Sequence, residues 1–201
     1  MKVLGITGGI GAGKSTVLDF LEKNYDARVI QADRVAFDLQ QPGQECYRQT
    51  VGIFGTDILK DDGTIDRARL GAVVFADSRK LAELNAIVHP AVKEWIQSEI
   101  SAEAKRGSVP FLVIEAALLL EDRYDLICDE IWYIHASEQV RTERLMRDRG
   151  YTREKALRIM QNQLPEQEYR KKCKLVIDNS IDFVENTYGQ IDEGLREHGF
   201  L

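Results

Sequence analysis

Residues 8–15 read Gly8-Gly9-Ile10-Gly11-Ala12-Gly13-Lys14-Ser15, with Thr16 behind them. No other stretch narrows the choice of fold so sharply. It fits G-x-x-x-x-G-K-[ST], and its flanks are the ones that pattern needs. Ahead of it, Lys2-Val3-Leu4-Gly5-Ile6-Thr7 is short, apolar and β-branched, which predicts a buried strand. Behind it, Val17, Leu18, Leu21 and Tyr25 recur at helical spacing through Ser15–Tyr25. The glycines let the backbone turn tightly enough to aim successive N–H groups at one anion. The helix that follows adds its free N–H groups and the positive end of its dipole. Lys14 brings a mobile charge for the β- and γ-phosphates of a nucleotide, and the Ser15 hydroxyl is placed to ligate Mg²⁺. As a mere β–α turn with a surface lysine, the same stretch would carry four glycines only for their entropic cost. A dinucleotide fingerprint would need glycine or alanine at position 14, where this chain has lysine.

A length of 201 residues predicts one domain, with room for an insert. With 30% charged residues and no apolar run of spanning length, a membrane class is not expected. The glycine-rich N-terminus does not read as a secretory signal. Cys46, Cys128 and Cys173 lie far apart and form no C-x-x-C pair, which predicts reduced thiols in a cytoplasmic protein. A net charge of −6 argues against a broad nucleic-acid surface, so anionic ligands must meet a local basic cluster.

Four further strands are predicted: 27–30, then Val109–Glu115, Glu130–His135 and Lys174–Asp178. Helical stretches separate them, which implies βαβ crossovers and a parallel sheet covered on both faces. The fold class is therefore α/β: a three-layer α/β/α architecture around a five-stranded parallel sheet. Residues from about 36 to 107 show no convincing strand and read as a helical insert broken by turns at Pro42-Gly43, Phe54–Asp57 and Asp61–Thr64. His89-Pro90 is expected to end one helix, with Pro90 in the first turn of the next. Asp33, just past the second strand, is placed either to meet a ligand or to cap the helix over 35–40. Glu115, at the end of the third strand, stands where a Walker-B-type carboxylate would, or else is a capping or solvated acid. The last amphipathic helix, through Val184, Thr187, Ile191 and Leu195, is expected to pack on the sheet.

Between the last two strands lies the most basic segment, with Arg141, Arg144, Arg147, Arg149, Arg153, Lys155 and Arg158. Surface arginines usually pair with local acids, here Glu143 and Asp148, and contribute little. Arginine is also the side chain best suited to bidentate phosphate contacts. Gly150-Tyr151-Thr152 interrupts the cluster, so a helix–turn–helix over about 141–163 could close over a nucleotide as a lid.

With these pieces placed, the chain resembles the dephospho-CoA kinase family over essentially its whole length. The resemblance rests on Ile6–Thr16, Ala32-Asp33, Phe54-Gly55, and the Asp62-Gly63 turn leading to Ile65-Asp66-Arg67. It continues with Leu84-Asn85, His89-Pro90, Leu118-Leu119 with Glu121, and Arg144-Leu145 through Arg147 and Arg149. Arg158-Ile159 with Gln161 and Gln163, then Asp178-Asn179, complete it. Where the family usually has Asp-Ala-Asp, this chain has Gln31-Ala32-Asp33, which leaves Asp33 as the sole carboxylate at that strand tip. Ala117 stands for a usual proline, and Ser180-Ile181-Asp182 where a glycine often follows.

The resemblance implies a single phosphate-loop kinase domain over 1–201 that phosphorylates the ribose 3′-hydroxyl of dephospho-CoA with ATP and Mg²⁺, as a cytoplasmic monomer. It assigns Gly9, Gly11, Ala12, Gly13, Lys14, Ser15 and Thr16 to the ATP phosphates, and Ser15 and Asp33 to the metal. Asp33, Lys14 and Arg144 become the catalytic set, with Asp33 as base or as metal ligand through water. Arg147 and Arg149 join the nucleotide, and Asn179 becomes a neighbour of adenine. Thr7, Asp33, His89 and Glu115 become contacts to the acceptor. Another small-molecule kinase, for nucleosides or their monophosphates, would share the sheet and lid. A regulatory GTP switch would need Asn-Lys-x-Asp, and none of Asn24, Asn85, Asn162, Asn179 and Asn186 is followed by lysine.

Overall fold

The computed structural model describes residues 1–181 and 183–201; Asp182, one of the departures named above, lies outside them. The chain begins with β1 (Lys2–Thr7), α1 (Lys14–Tyr25) and β2 (Arg28–Gln31). A run of helices follows: α2 (Ala32–Leu39), α3 (Glu45–Phe54), α4 (Arg67–Ala76) and α5 (Ser78–Arg106). It then returns to β3 (Phe111–Glu115) and β4 (Glu130–His135), and to α6 (Glu138–Arg149), α7 (Arg153–Gln161) and α8 (Glu166–Lys172). It closes with β5 (Leu175–Asp178) and α9 (Val184–Glu197). By internal contacts the chain forms two compact units, residues 31–102 and the remainder, 1–30 with 103–201.

In the larger unit the strands form one all-parallel sheet in the order β2-β3-β1-β4-β5. β1 is thus central, with Lys2 opposite Phe111 on one side and Leu4 opposite Glu130 on the other. Central position explains composition: β3 is buried at every residue, as a parallel strand covered on both faces must be. One face packs Leu4, Ile6, Phe111, Val113, Trp132, Ile134 and Ile177 against Val17, Leu18 and Leu21 of α1 and Ile191 and Leu195 of α9. Phe20 of α1 stacks on Tyr188 of α9, ring centroids 3.9 Å apart. Elsewhere in the same unit Tyr133 of β4 stacks on Tyr169 of α8 at 4.7 Å. The buried carboxylate of Glu103 is held by the Ser108 hydroxyl, by Arg28 at 3.0 Å and by Arg106 at 2.9 Å, and these, the Ser108 hydrogen bond foremost, keep it below the usual carboxylate range.

The smaller unit has its own core of Ile58, Ile65, Leu70 and Val74, flanked by Tyr47, Phe54 and Leu59. Its turn is closed by Asp62, whose carboxylate accepts the N–H and hydroxyl of Thr64, and Asp66 caps α4 by accepting from Ala68 and Arg69. The expected break at His89-Pro90 does not occur: α5 runs unbroken through Pro90 from Ser78 to Arg106. A proline inside a helix forfeits one hydrogen bond and crowds the carbonyl four residues back. Here Val88, Val92 and Ile96 lie on one buried stripe spanning that point, and burying the stripe requires the helix to continue.

A candidate phosphate site at the end of the first strand

β1 delivers the chain at Thr7 into the loop 8–13, and α1 opens immediately behind it. Gly13 is the N-cap of α1, at φ 87°, a left-handed conformation that glycine adopts without penalty, and no side chain caps the helix. Within this turn the Thr16 and Val17 N–H groups donate to Gly13 O. The preceding N–H groups are the ones a helix start leaves to a ligand, at the positive end of its dipole.

The loop is also pressed from behind. A side chain at Gly9 would run into the guanidinium of Arg141, with Cβ only 2.3 Å from Nη2. At Gly13 it would meet the amide of Asn179 at 2.2 Å. The glycines therefore answer two demands, the turn itself and the close approach of α6 and the tip of β5.

Lys14 folds back over the loop. Its ammonium donates to Gly8 O at 2.9 Å and lies 3.4 Å from Oε1 of Glu115 at the end of β3. Both side chains are largely buried, so the pair is weakly screened. Two buried side-chain polar atoms among the described residues have no hydrogen-bond partner: Thr7 Oγ1 and Arg144 Nη1. Thr7 is the last residue of β1, and Arg144 Nη1 lies 3.5 Å from where a Cβ on Gly13 would sit. Unpaired buried donors and acceptors cost about 1–3 kcal/mol each. Thr7 directly precedes the loop and Arg144 Nη1 lies beside its last glycine, so each leaves a polar atom there without a protein partner.

Asn179 proves to be a brace. Its Nδ2 donates to Ala12 O at 2.8 Å, its Oδ1 accepts from the Thr187 hydroxyl at 2.8 Å, and its carbonyl accepts from Arg144 Nη2 at 3.0 Å. Arg141 and Gln163 form a second brace. Arg141 Nε donates to Ile10 O at 2.8 Å, and Gln163 Oε1 accepts from the Ile10 N–H at 3.0 Å. Desolvation lowers the pKa of Arg141, as expected for a cation held mostly out of water. In the sequence Arg141 belongs to the basic cluster and Gln163 to the family landmarks, and nothing there points to a partner for either. They lie 131 and 153 residues from Ile10, and no local pattern encodes such a meeting.

The helix–turn–helix expected in the basic segment is present, with Gly150 in the left-handed region at φ 62° as C-cap of α6 and Thr152 as N-cap of α7. Arg147 and Arg149 lie exposed in the last turn of α6, and Arg147 Nε contacts Asp148 at 2.7 Å. In the smaller unit Asp33 is exposed in the first turn of α2, whose N-cap is Gln31, so the capping alternative for Asp33 does not hold. His89 is half-buried in the middle of α5.

Residues 2–185 match the family described as CoaE: Dephospho-CoA kinase. A dephospho-CoA kinase of Carboxydothermus hydrogenoformans is 39% identical over 191 residues, 95% of this chain and 91% of the relative. Among solved structures, a protein of Thermus thermophilus superposes with a TM-score of 0.80 at 29% identity, covering 98% of this chain and 97% of its own. Dephospho-CoA kinase from Campylobacter jejuni superposes with a TM-score of 0.73 at 20% identity, covering 99% and 100%, which supports the fold.

Proposed function

The chain belongs to the dephospho-CoA kinase family, and from that premise we propose how its own residues carry the family's reaction. The enzyme uses ATP to phosphorylate dephospho-CoA at the ribose 3′-hydroxyl, the final step of coenzyme A biosynthesis. The acceptor oxygen forms the new P–O bond. The bond between the γ-phosphorus and its bridging oxygen breaks, ADP leaves with that electron pair, and the hydroxyl proton passes to a base. Little covalent help is needed from the protein; positioning and charge neutralisation supply most of the rate.

The observation that carries the reading is the arrangement of Lys14 and the start of α1 around the glycine loop. Gly9, Gly11, Ala12, Gly13, Ser15 and Thr16 hold the phosphates through backbone N–H groups. Lys14 exchanges Gly8 O for the β- and γ-phosphate oxygens. Arg144, whose Nη1 lacks a partner beside Gly13, neutralises charge on the transferring group. Asp33 accepts the hydroxyl proton, or acts on the metal through water. Thr7, His89 and Glu115 contact the acceptor, with the insert of about 36–107 holding it. The segment of about 141–163, with Arg147 and Arg149, closes over ATP as a lid. The Asn179 side chain already bonds Ala12 and Thr187, so its role near adenine is to set the wall there.

Mg²⁺ fits the donors on offer. It prefers hard oxygen ligands and keeps several waters, binding through few protein groups and the substrate phosphates. Among the described residues no cluster of three or more His, Cys, Asp and Glu side chains could cage a metal, whereas the Ser15 hydroxyl is exposed at the start of α1. Ser15, with Asp33 through water, would hold the ion, which when bound neutralises phosphate charge. We take the working form to be a monomer in the cytoplasm, the compartment being the part that the three dispersed thiols support. Following ADP release with dephospho-CoA against nucleosides and nucleoside monophosphates tests the assignment. Turnover confined to dephospho-CoA, with the product phosphorus coupled to the 3′ position by NMR, is the expected result. Faster turnover of a nucleoside acceptor would replace it with the related kinase class.

A further inference from the structure

Both polar atoms of one loop residue, Ile10, are held by side chains from the far end of the chain. Its N–H donates to Gln163 Oε1 at 3.0 Å, and its carbonyl accepts from Arg141 Nε at 2.8 Å. The two clamps are joined, because Arg141 Nη2 donates to the same Gln163 Oε1 at 2.6 Å. One carboxamide oxygen thus serves two donors, and the second is a cation whose bonds are the stronger kind. Gln163 is itself tied to the end of α7, its N–H donating to Met160 O at 3.1 Å. On the other side, α6 leaves no slack: a Cβ on Gly11 would lie 3.0 Å from Arg141 O and 3.3 Å from Leu145 Cγ.

We propose that Gln163 is a positioning residue for phosphoryl transfer, its carboxamide oxygen locking the Ile10 peptide, through Arg141, to the end of α7. The phosphate loop stabilises transferring charge only if its N–H groups are already aimed when the charge develops. Ile10 sits at the crest of that loop, and rotation of its flanking peptides would re-aim the neighbouring N–H groups at Gly11 and beyond. The lock also makes the loop sensitive to α7, since α7 cannot shift along its axis without dragging Gln163 from Ile10. Movement of the 141–163 segment on ATP binding would therefore be felt at the loop through the two hydrogen bonds to Ile10. This inference rests on the phosphate-loop reading above.

The test compares shape with acceptor capacity at one position. Gln163→Met keeps the length but loses the oxygen, whereas Gln163→Glu keeps an acceptor for both donors beside the Arg141 cation. Gln163→Asn keeps the amide but falls one methylene short of Ile10. Steady-state kinetics with ATP and dephospho-CoA varied separately should show kcat/KM for ATP falling about tenfold to a hundredfold in Gln163→Met and Gln163→Asn. KM for dephospho-CoA should stay put, and Gln163→Glu should recover most of the loss. The Ile10 amide should exchange faster with solvent in the first two variants than in the wild type. Wild-type kcat/KM for ATP in both Gln163→Met and Gln163→Asn, or unchanged Ile10 exchange, would overturn the proposal. So would equal losses in all three variants, which would mark simple disruption of packing. Normal turnover in Lys14→Ala would instead bring down the reading of the loop, and this inference with it.

Discussion

The ammonium of Lys14 lies 3.4 Å from Glu115 Oε1, joining the first residue of α1 to the last residue of β3. The two residues are 101 positions apart in sequence, and parallel pairing of β1 with β3 is what brings them together, with Ile6 opposite Glu115. Lys14 also bonds Gly8 O, so its charge is stored at the mouth of the loop and not in the core.

That placement makes Lys14→Ala a test of chemistry more than of folding. The variant should still unfold in one cooperative transition, at lower stability because Glu115 loses the ammonium beside it. Its kcat should fall on the order of 10²–10³, by analogy with removing one preorganised donor to a developing charge. Near-normal turnover of the folded variant would remove the loop from the mechanism.

Asp33→Asn isolates the charge and the base. Asp33 caps nothing, since Gln31 is the N-cap of α2 and carries no side-chain cap bond. Losing a carboxylate from the first turn costs about 0.3–1 kcal/mol of helix stabilisation, too little to unfold the unit. A steep fall in kcat with KM for ATP nearly unchanged is expected if Asp33 takes the hydroxyl proton. Unaltered kcat in the folded variant would confine Asp33 to its helix.

The phosphate loop was legible in the sequence because its signal is local: strand, glycines and helix lie within 25 residues and each supports the next. The five strands were legible for a related reason, since burial on both faces leaves short continuous apolar runs, and β4 falls at Glu130–His135 as read. Pro90 misled because local backbone chemistry argues for a break, while the stripe of Val88, Val92 and Ile96 is satisfied only by continuity. The braces behind the loop were invisible for another reason. Asn179 and Gln163 are ordinary polar residues until the fold brings Ala12 and Ile10 to them.

Asn179→Ala should therefore read chiefly as a stability change. The substitution removes two buried side-chain bonds and leaves the Ala12 carbonyl and the Thr187 hydroxyl without these partners. The expected loss is about 2 kcal/mol, measured as a shift of the urea midpoint at unchanged slope. A variant as stable as the wild type with ATP affinity lost would make Asn179 a direct nucleotide contact.

The thiols give the stability a pH dependence whose sign is fixed. Burial pushes Cys128 and Cys173 from 9.0 up to about 12, and moves Cys46 in the same direction. Their pKa values are higher folded than unfolded, so this contribution is complete below about pH 9 and is lost progressively between about 9 and 12. Unfolding followed at pH 8 and pH 10.5 should show a fall that is smaller in Cys128→Ala than in the wild type. The buried Cys46 thiol should also resist iodoacetamide at pH 8 until urea is added. Rapid alkylation of Cys46 in the folded protein would contradict its burial.

The arginines beyond Arg144 pose the sharpest alternative. Arg147 and Arg149 are exposed in the last turn of α6, Arg147 lies against Asp148, and Gly150 separates them from α7. An ordinary charged surface predicts that Arg147→Lys and Arg149→Lys change little, because exposed ion pairs contribute about 0–1 kcal/mol and lysine keeps the charge. A lid predicts inequality: the arginine that reaches the γ-phosphate should lose kcat as lysine, since a point charge cannot reproduce the planar fork. Closure should also protect backbone amides across 147–158 from hydrogen exchange when ATP and dephospho-CoA are both present. Loss of kcat in one variant and not the other, together with that protection, is the expected pattern. Full activity in both variants with no change in exchange would reduce the cluster to solvated charge, while the brace at Gln163, which depends on Ile10 and Arg141, would still stand on its own measurement.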